Sequence, residues 1–224
     1  MAIVLTDTFT GSDGAAWNGT NWPNFYDSGA AGVHDIQGNQ GRLQTDPSAY
    51  AVMQAEVFDF NSTDFVMLLD VEVQATTEAY FQVEFRTALT GDGNIYELVL
   101  RRDTGYFAFE RKVSYTPTVL DSATLTITTN DVIHIRLRVS GSDYKARAWL
   151  NGASEPTTWD LEATDSTYLI NDRVALKAIS GSAASAQRWD VDNIQIDTDP
   201  NGLLTASSVP AVARRIWQRA MGLR

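Results

Sequence analysis

Tyr80-Phe-Gln-Val-Glu-Phe-Arg86 alternates apolar and polar residues without a break, and Ile133-His-Ile-Arg-Leu-Arg-Val139 repeats the rhythm. In the first, Phe81, Val83 and Phe85 share one side while Gln82, Glu84 and Arg86 take the other. In the second, Ile133, Ile135, Leu137 and Val139 oppose His134, Arg136 and Arg138. A period of two puts alternate side chains on opposite faces of a pleated strand, so each segment has a core face and a wet face. Between them, Ile95–Leu100 and Tyr106–Glu110 flank a short hairpin loop at Asp103-Thr-Gly105. Successive strands of this kind predict an antiparallel, all-β sandwich.

Working outward, Ile3–Thr10 reads as a first strand and Ala15–Gly32 as a loop holding Trp17, Trp22, Phe25 and Tyr26. Loop aromatics of this kind are expected to fold down over the core. His34–Gln37 and Gly41–Thr45 predict a hairpin around Gly38-Asn-Gln40. Ala51–Phe58, Phe65–Val73, Ala123–Thr128, Asp143–Leu150, Arg173–Ile179 and Trp189–Ile196 supply further strands. Asn151-Gly152 signals a two-residue turn. No helix is expected before residue 200.

Composition bounds the function. With 224 residues, 44% hydrophobic, the chain has room for one large β-sandwich. It has no cysteine, which removes disulfides, thiolate metal sites and Cys nucleophiles. A net charge of −11 argues against nucleic-acid binding, which needs a basic face. No apolar run reaches the roughly 20 residues that span a bilayer. Met1–Asp7 lacks the basic region and long apolar core of a secretion signal. The charge is also uneven: residues 201–224 hold four Arg and no acid, so this segment carries +4 and the rest −15.

Asp7-Thr-Phe-Thr-Gly11, Asn21-Trp22, Gly41-Arg-Leu43, Ala148-Trp-Leu-Asn-Gly152 and Trp189-Asp-Val-Asp-Asn-Ile194 together resemble the concanavalin A-like (laminin G-like) jelly roll of bacteriophage tail proteins. The resemblance covers about residues 1–196. It implies adjacent first and last strands, with Asp192-Asn-Ile194 closing the sheet. It also implies a carbohydrate-binding, adhesive or structural role in a virion, or in some branches a glycosidase.

Candidate chemistry is sparse. The β-glucanase branch of this fold carries Glu-x-Asp-x-x-Glu on one strand, and that motif is missing. Asp70 and Glu72 share a strand face, and Glu84, Glu97 and Glu110 could line one face across neighbouring strands. Nearby Arg86, Arg101 and Arg111 suggest solvated ion pairs for those three. No enzyme is expected. Two histidines and no cysteine leave no transition-metal set; calcium stays open through loop carboxylates such as Asp190, Asp192, Asp197 and Asp199. By alternation Trp149 shares a charged face with Lys145 and Arg147, a candidate sugar-stacking platform.

After a linker at 197–206, residues 207–224 predict an amphipathic helix, capped at Ser207 or Ser208 with Pro210 in its first turn. Val209, Val212, Ala213, Ile216, Trp217 and Ala220 form its apolar stripe, opposed by Arg214, Arg215 and Arg219. So short a helix needs a surface to bury that stripe. The expectation is therefore a virion component, tail or capsid-surface, docked through this helix on other virion proteins. A homo-oligomer and a host-surface glycan as further partner are expected with it. The alternative is a bacterial polysaccharide-binding module or glycoside hydrolase of the same fold.

Overall fold

The computed structural model describes residues 3–27, 32–47, 52–58, 62–75, 78–86, 93–169, 173–181, 186–202 and 204. Within these residues the strands are β1 (Ile3–Asp7), β2 (Asn24–Asp27), β3 (Val33–Ile36), β4 (Gly41–Gln44), β5 (Val52–Phe58), β6 (Phe65–Val73), β7 (Ala79–Phe85), β8 (Ile95–Arg101), β9 (Tyr106–Val113), β10 (Thr116–Thr124), β11 (Val132–Ser140), β12 (Asp143–Leu150), β13 (Leu161–Thr164), β14 (Arg173–Ser180) and β15 (Arg188–Asp197). They form two antiparallel sheets. One is ordered β13-β12-β11-β6-β15-β4-β3, with β1 also on β15; the other is β10-β9-β8-β7-β14-β5-β2. The predicted C-terminal helix, with the stripe Val209, Val212, Ala213, Ile216, Trp217, Ala220 and the cations Arg214, Arg215, Arg219, lies outside the described residues. Among the described residues no helix is long and apolar enough to cross a membrane.

The alternation explains the packing. Phe81, Val83 and Phe85 of β7 and Ile133, Ile135, Leu137 and Val139 of β11 all point between the sheets and are buried. Phe85 anchors an aromatic cluster, with its ring 6.0 Å from Tyr96, 6.3 Å from Phe109 and 5.5 Å from Tyr144. Burying each such ring contributes about 2–3 kcal/mol. β6 is buried along its whole length, because its outer face is also covered.

β15 joins the first strand to the rest of its sheet. Arg188–Val191 pairs with β4, and Ile194–Asp197 pairs with β1. A bulge at Asn193-Ile194 separates the two halves, with Asn193 at φ 50. An Asn tolerates that left-handed backbone better than most residues, and its side-chain amide donates to Asp70 Oδ2 at 2.5 Å.

The Trp17 and Trp22 part of the Gly-rich loop after β1 folds inward as expected, whereas Phe25 and Tyr26 lie on strand β2 and not in a loop, with their side chains outside what the structure describes. Trp17 and Trp22 are buried against Phe9, and Trp22 Nε1 donates to Asp7 Oδ2 at 2.8 Å. The same carboxylate receives the Phe9 amide, so Asp7 ties the loop to the end of β1.

Three local readings change. The strand expected at Ala123–Thr128 is Thr116–Thr124: Pro117 is accommodated because β10 is an edge strand with no neighbour beyond it. Asn151-Gly152 does form its expected turn at the end of β12: the Ala153 amide donates to the Leu150 carbonyl at 3.0 Å, with Gly152 at φ 92. Arg86 does not stay on the polar face: at φ 48 the backbone leaves the strand, and its guanidinium turns into the interior. There it donates to the carbonyls of Thr63 and Gly141 and lies 5.6 Å from the Tyr144 ring. Beyond β15, Pro200, Asn201 and Leu204, expected as part of a linker, lie over the outer face of the β6–β11–β12 sheet. Arg138 donates to Pro200 O at 3.0 Å and to Asn201, and Arg136 to Leu204 O at 2.5 Å.

Candidate functional site

The outer face of the other sheet is built from the polar positions of β7, β8 and β9. Register sets its rows: Tyr80 lies opposite Arg101, and Tyr106 opposite Thr124 of β10. Two rungs further along, Glu84 faces Glu97, which faces Glu110. Cross-strand partners lie about 4.5–5.5 Å apart at Cβ, so each row behaves as one chemical unit.

The first row opens into a cleft of about 560 Å³ lined by Tyr80, Arg101, Thr104, Tyr106, Glu110 and Thr124. The Arg101 guanidinium sits 5.0 Å over the Tyr80 ring, a cation–π contact. Asp103 grips it with two hydrogen bonds, Nε at 2.6 Å and Nη2 at 2.9 Å, and Glu78 accepts from Nη2 at 2.9 Å. The hydrogen bond from Arg101 holds Asp103 below the usual carboxylate range. The tyrosines are fixed through their hydroxyls: Tyr80 donates to Glu78 at 3.1 Å and Tyr106 to Glu110 at 3.0 Å. Burial, then the Glu110 charge, pushes the Tyr106 phenol well above its ordinary pKa. Two half-buried aromatic rings, held rigid between carboxylates and threonines, make an apolar-and-polar surface for a flat hydroxylated ligand.

Two of the three glutamates in the further row, Glu84 and Glu97, are closed rather than solvated. Glu84 and Glu97 are 3% and 0% exposed, and their partners are lysines, not the arginines nearest in sequence. Lys177 pairs with Glu84, and Lys112 approaches Glu97 Oε1 at 2.7 Å. The arginines go elsewhere: Arg111 to Asp165, Arg101 to Asp103, Arg86 into the core. Burial, opposed by Lys112, pushes the Glu97 carboxyl up to about 7.

Trp149, Lys145 and Arg147 do share the outer face of β12, opposite His134, Arg138 and Arg136 of β11. They do not form an open platform. Trp149 is 5% exposed, packed with Val66, Leu68 and Leu204. Its ring lies 5.3 Å from that of His134, whose Nδ1 is 2.5 Å from Asp70 Oδ1. Burial opposes the imidazolium, but the Asp70 hydrogen bond and charge outweigh it and raise the His134 pKa. Lys145 pairs with Glu162; Arg147 pairs with Glu155 and lies 4.4 Å over the Trp159 ring. Alternation gives the face correctly but carries no information on what crosses it.

Asp70 and Glu72 likewise share a face but are separately engaged, Asp70 by His134 and Asn193, Glu72 by Gln40 and Gln74. The carboxylates considered for calcium each bond locally: Asp190 to Arg188, Asp192 to the Asn193 amide, Asp197 to the Asp199 amide and Asp199 to the Asn201 amide. Among the described residues no cluster of three or more His, Asp or Glu side chains is placed to hold a metal ion.

No family model matches the chain, and no curated protein matches it in sequence. Solved structures do match. The carbohydrate-binding module CBM66 from Bacillus subtilis is 13% identical over 79% of this chain and 97% of that one, with a TM-score of 0.57. The VIP36 exoplasmic/lumenal domain, bound to Ca2+ and Man2, is 13% identical over 85% and 84%, with a TM-score of 0.60. A Bacillus subtilis protein of unknown function with a galectin-like fold is 10% identical over 88% and 96%, with a TM-score of 0.64. At these identities the likeness is one of fold, and the fold is the galectin-like, concanavalin A-like jelly roll.

Proposed function

We propose that this chain is a non-enzymatic carbohydrate-binding jelly roll and serves as a structural, host-contacting component of a bacteriophage particle. Residues 207–224 dock it on other virion proteins. The observation that carries the binding reading is the cleft, where Tyr80 and Tyr106 flank a braced Arg101 beside Glu110. Sugars stack on such rings and exchange hydrogen bonds with such rims. The fold is shared with a carbohydrate-binding module and with a VIP36 domain seen holding mannose sugars, which supports the same reading. The virion context rests on the resemblance in sequence.

The hydrolase of the same fold fits less well. A glycosidase needs two carboxyls that reach the substrate. Glu84 and Glu97 are closed from solvent and lysine-paired, which leaves Glu110 as the one glutamate of the row in the cleft.

The test is titration calorimetry of the full chain against an oligosaccharide panel, with Tyr80→Ala and Tyr106→Ala beside the wild type. Saturable binding that both substitutions weaken about tenfold or more, through loss of ring stacking, supports the cleft. Binding that survives both moves the site elsewhere. For anchorage, particles assembled with residues 206–224 deleted should lack the protein; normal incorporation would refute that part.

A further inference from the structure

We infer that the cleft selects uncharged, hydroxyl-rich sugars and rejects sialylated, uronic or sulfated ones. This rests on reading the cleft as a glycan site and deepens it to a ligand class.

The inference comes from charge and from donor count. The cation in the cleft is Arg101, and it is already neutralised: Asp103 holds it in a two-bond fork, and Glu78 takes a further hydrogen. The fork is the geometry an incoming carboxylate or sulfate would need. That place is filled from within the chain. Adding Glu110, the cleft and its braces hold three carboxylates against one guanidinium, so an anionic sugar meets a net negative rim. Lys112 and Lys177, two cations of the same sheet, are tied to Glu97 and Glu84.

The hydrogen bonds say the same. Tyr80 and Tyr106 spend their hydroxyl hydrogens on Glu78 and Glu110, so each phenol oxygen faces a ligand as an acceptor. Glu110 is an acceptor only. Thr104 and Thr124 can act either way. Among the described residues, Nη1 is the one nitrogen of Arg101 without a hydrogen bond. The site therefore offers more acceptors than donors, and its ligand must arrive with donors to spare. Neutral sugar hydroxyls meet that demand; carboxylates and sulfates bring acceptors alone.

The test uses the full chain in titration calorimetry at low salt. The neutral probes are mannotriose, maltotriose and lactose; the acidic ones are sialyllactose, digalacturonic acid and sulfated lactose. A second variant, Glu78→Gln with Asp103→Asn, strips the two negative charges from Arg101, keeps both rings, and leaves an amide oxygen at position 78 to accept from the Tyr80 hydroxyl. The expected result is binding of at least one neutral probe, with its acidic counterparts weaker by tenfold or more, since like charges brought together cost affinity. The double variant should narrow that gap at least tenfold. Acidic probes bound as well as neutral ones, or a gap unmoved in the double variant, would overturn the selection while leaving the glycan site standing. Failure of all six probes on wild type and variant would overturn both.

Discussion

Glu97→Gln should abolish a pH dependence of stability that this carboxyl builds into the sheet. Glu97 is fully buried on the outer face, with Glu84 and Glu110 as its direct cross-strand neighbours. Burial and those two like charges raise its pKa from 4.5 to about 7, against the pull of Lys112. Between those values the folded chain keeps a proton that the unfolded chain has released. Stability therefore falls as pH climbs through this window and levels off above it. A displacement of this size amounts to about 3 kcal/mol. Glutamine keeps the shape and cannot titrate. It also removes the partner of Lys112, whose side chain is 21% exposed. His134, whose folded pKa is also raised, bends the wild-type curve in the same sense, since its contribution is lost as pH rises. The informative quantity is thus the difference between the two proteins. Urea unfolding followed by tryptophan fluorescence, from about pH 5 to about pH 8, should show the variant gaining about 3 kcal/mol on the wild type. A difference that stays flat within about 1 kcal/mol across that range would refute the buried, proton-holding glutamate.

Trp149→Ala should lower unfolding free energy by about 3–5 kcal/mol, as for other buried aromatics, because the indole fills the space under Leu204. Amide exchange at 197–202 should rise with it; glycan affinity lost at full stability would instead restore the open platform. Asp7→Ala removes one carboxylate that accepts from Phe9 N, Asn21 Nδ2 and Trp22 Nε1. Leaving such donors unmatched should cost about 2–4 kcal/mol, with a shifted tryptophan emission; an unchanged midpoint and spectrum would contradict it. Gly105→Ala puts a methyl group at φ 66 against the Leu125 carbonyl, where the Gly105 and Leu125 backbones are already bonded. Chemical unfolding should show a loss of roughly 2–4 kcal/mol, and a neutral substitution would mean the β8–β9 loop is freer than described.

The legible part of this molecule is local and periodic. Phe81, Val83 and Phe85 announce their face because side-chain parity is a property of a strand alone. Trp17 and Trp22 are readable as a folded-in loop because so much aromatic area is costly to expose. The cleft is not readable in this way, although parity places Tyr80 with Gln82 and Glu84. Its identity depends on Tyr80 meeting Arg101 and Tyr106 meeting Thr124, and register between strands is set by loops and packing. The charge partners escape for the same reason. Neighbours in sequence suggest Arg86 for Glu84, whereas the adjacent strand delivers Lys177. Trp149 shows the complementary limit: its face follows from alternation, but its burial depends on Leu204 returning from beyond the last strand.

The two outer faces carry the same kinds of residue and reach opposite states. On the β6–β11–β12 face, Arg136 and Arg138 hold the carbonyls of Leu204 and Pro200, so the chain itself covers the charges and the tryptophan. On the β7–β8–β9 face, carboxylates pair with lysines and a guanidinium in rows across the strands, and the tyrosines stay half open beside them. The sheets pack about 10 Å apart, with the core between these faces. Leu204, the last described residue, therefore lies on the side away from the cleft. Docking through residues beyond Leu204, as proposed, would leave the tyrosine face free for the proposed sugar.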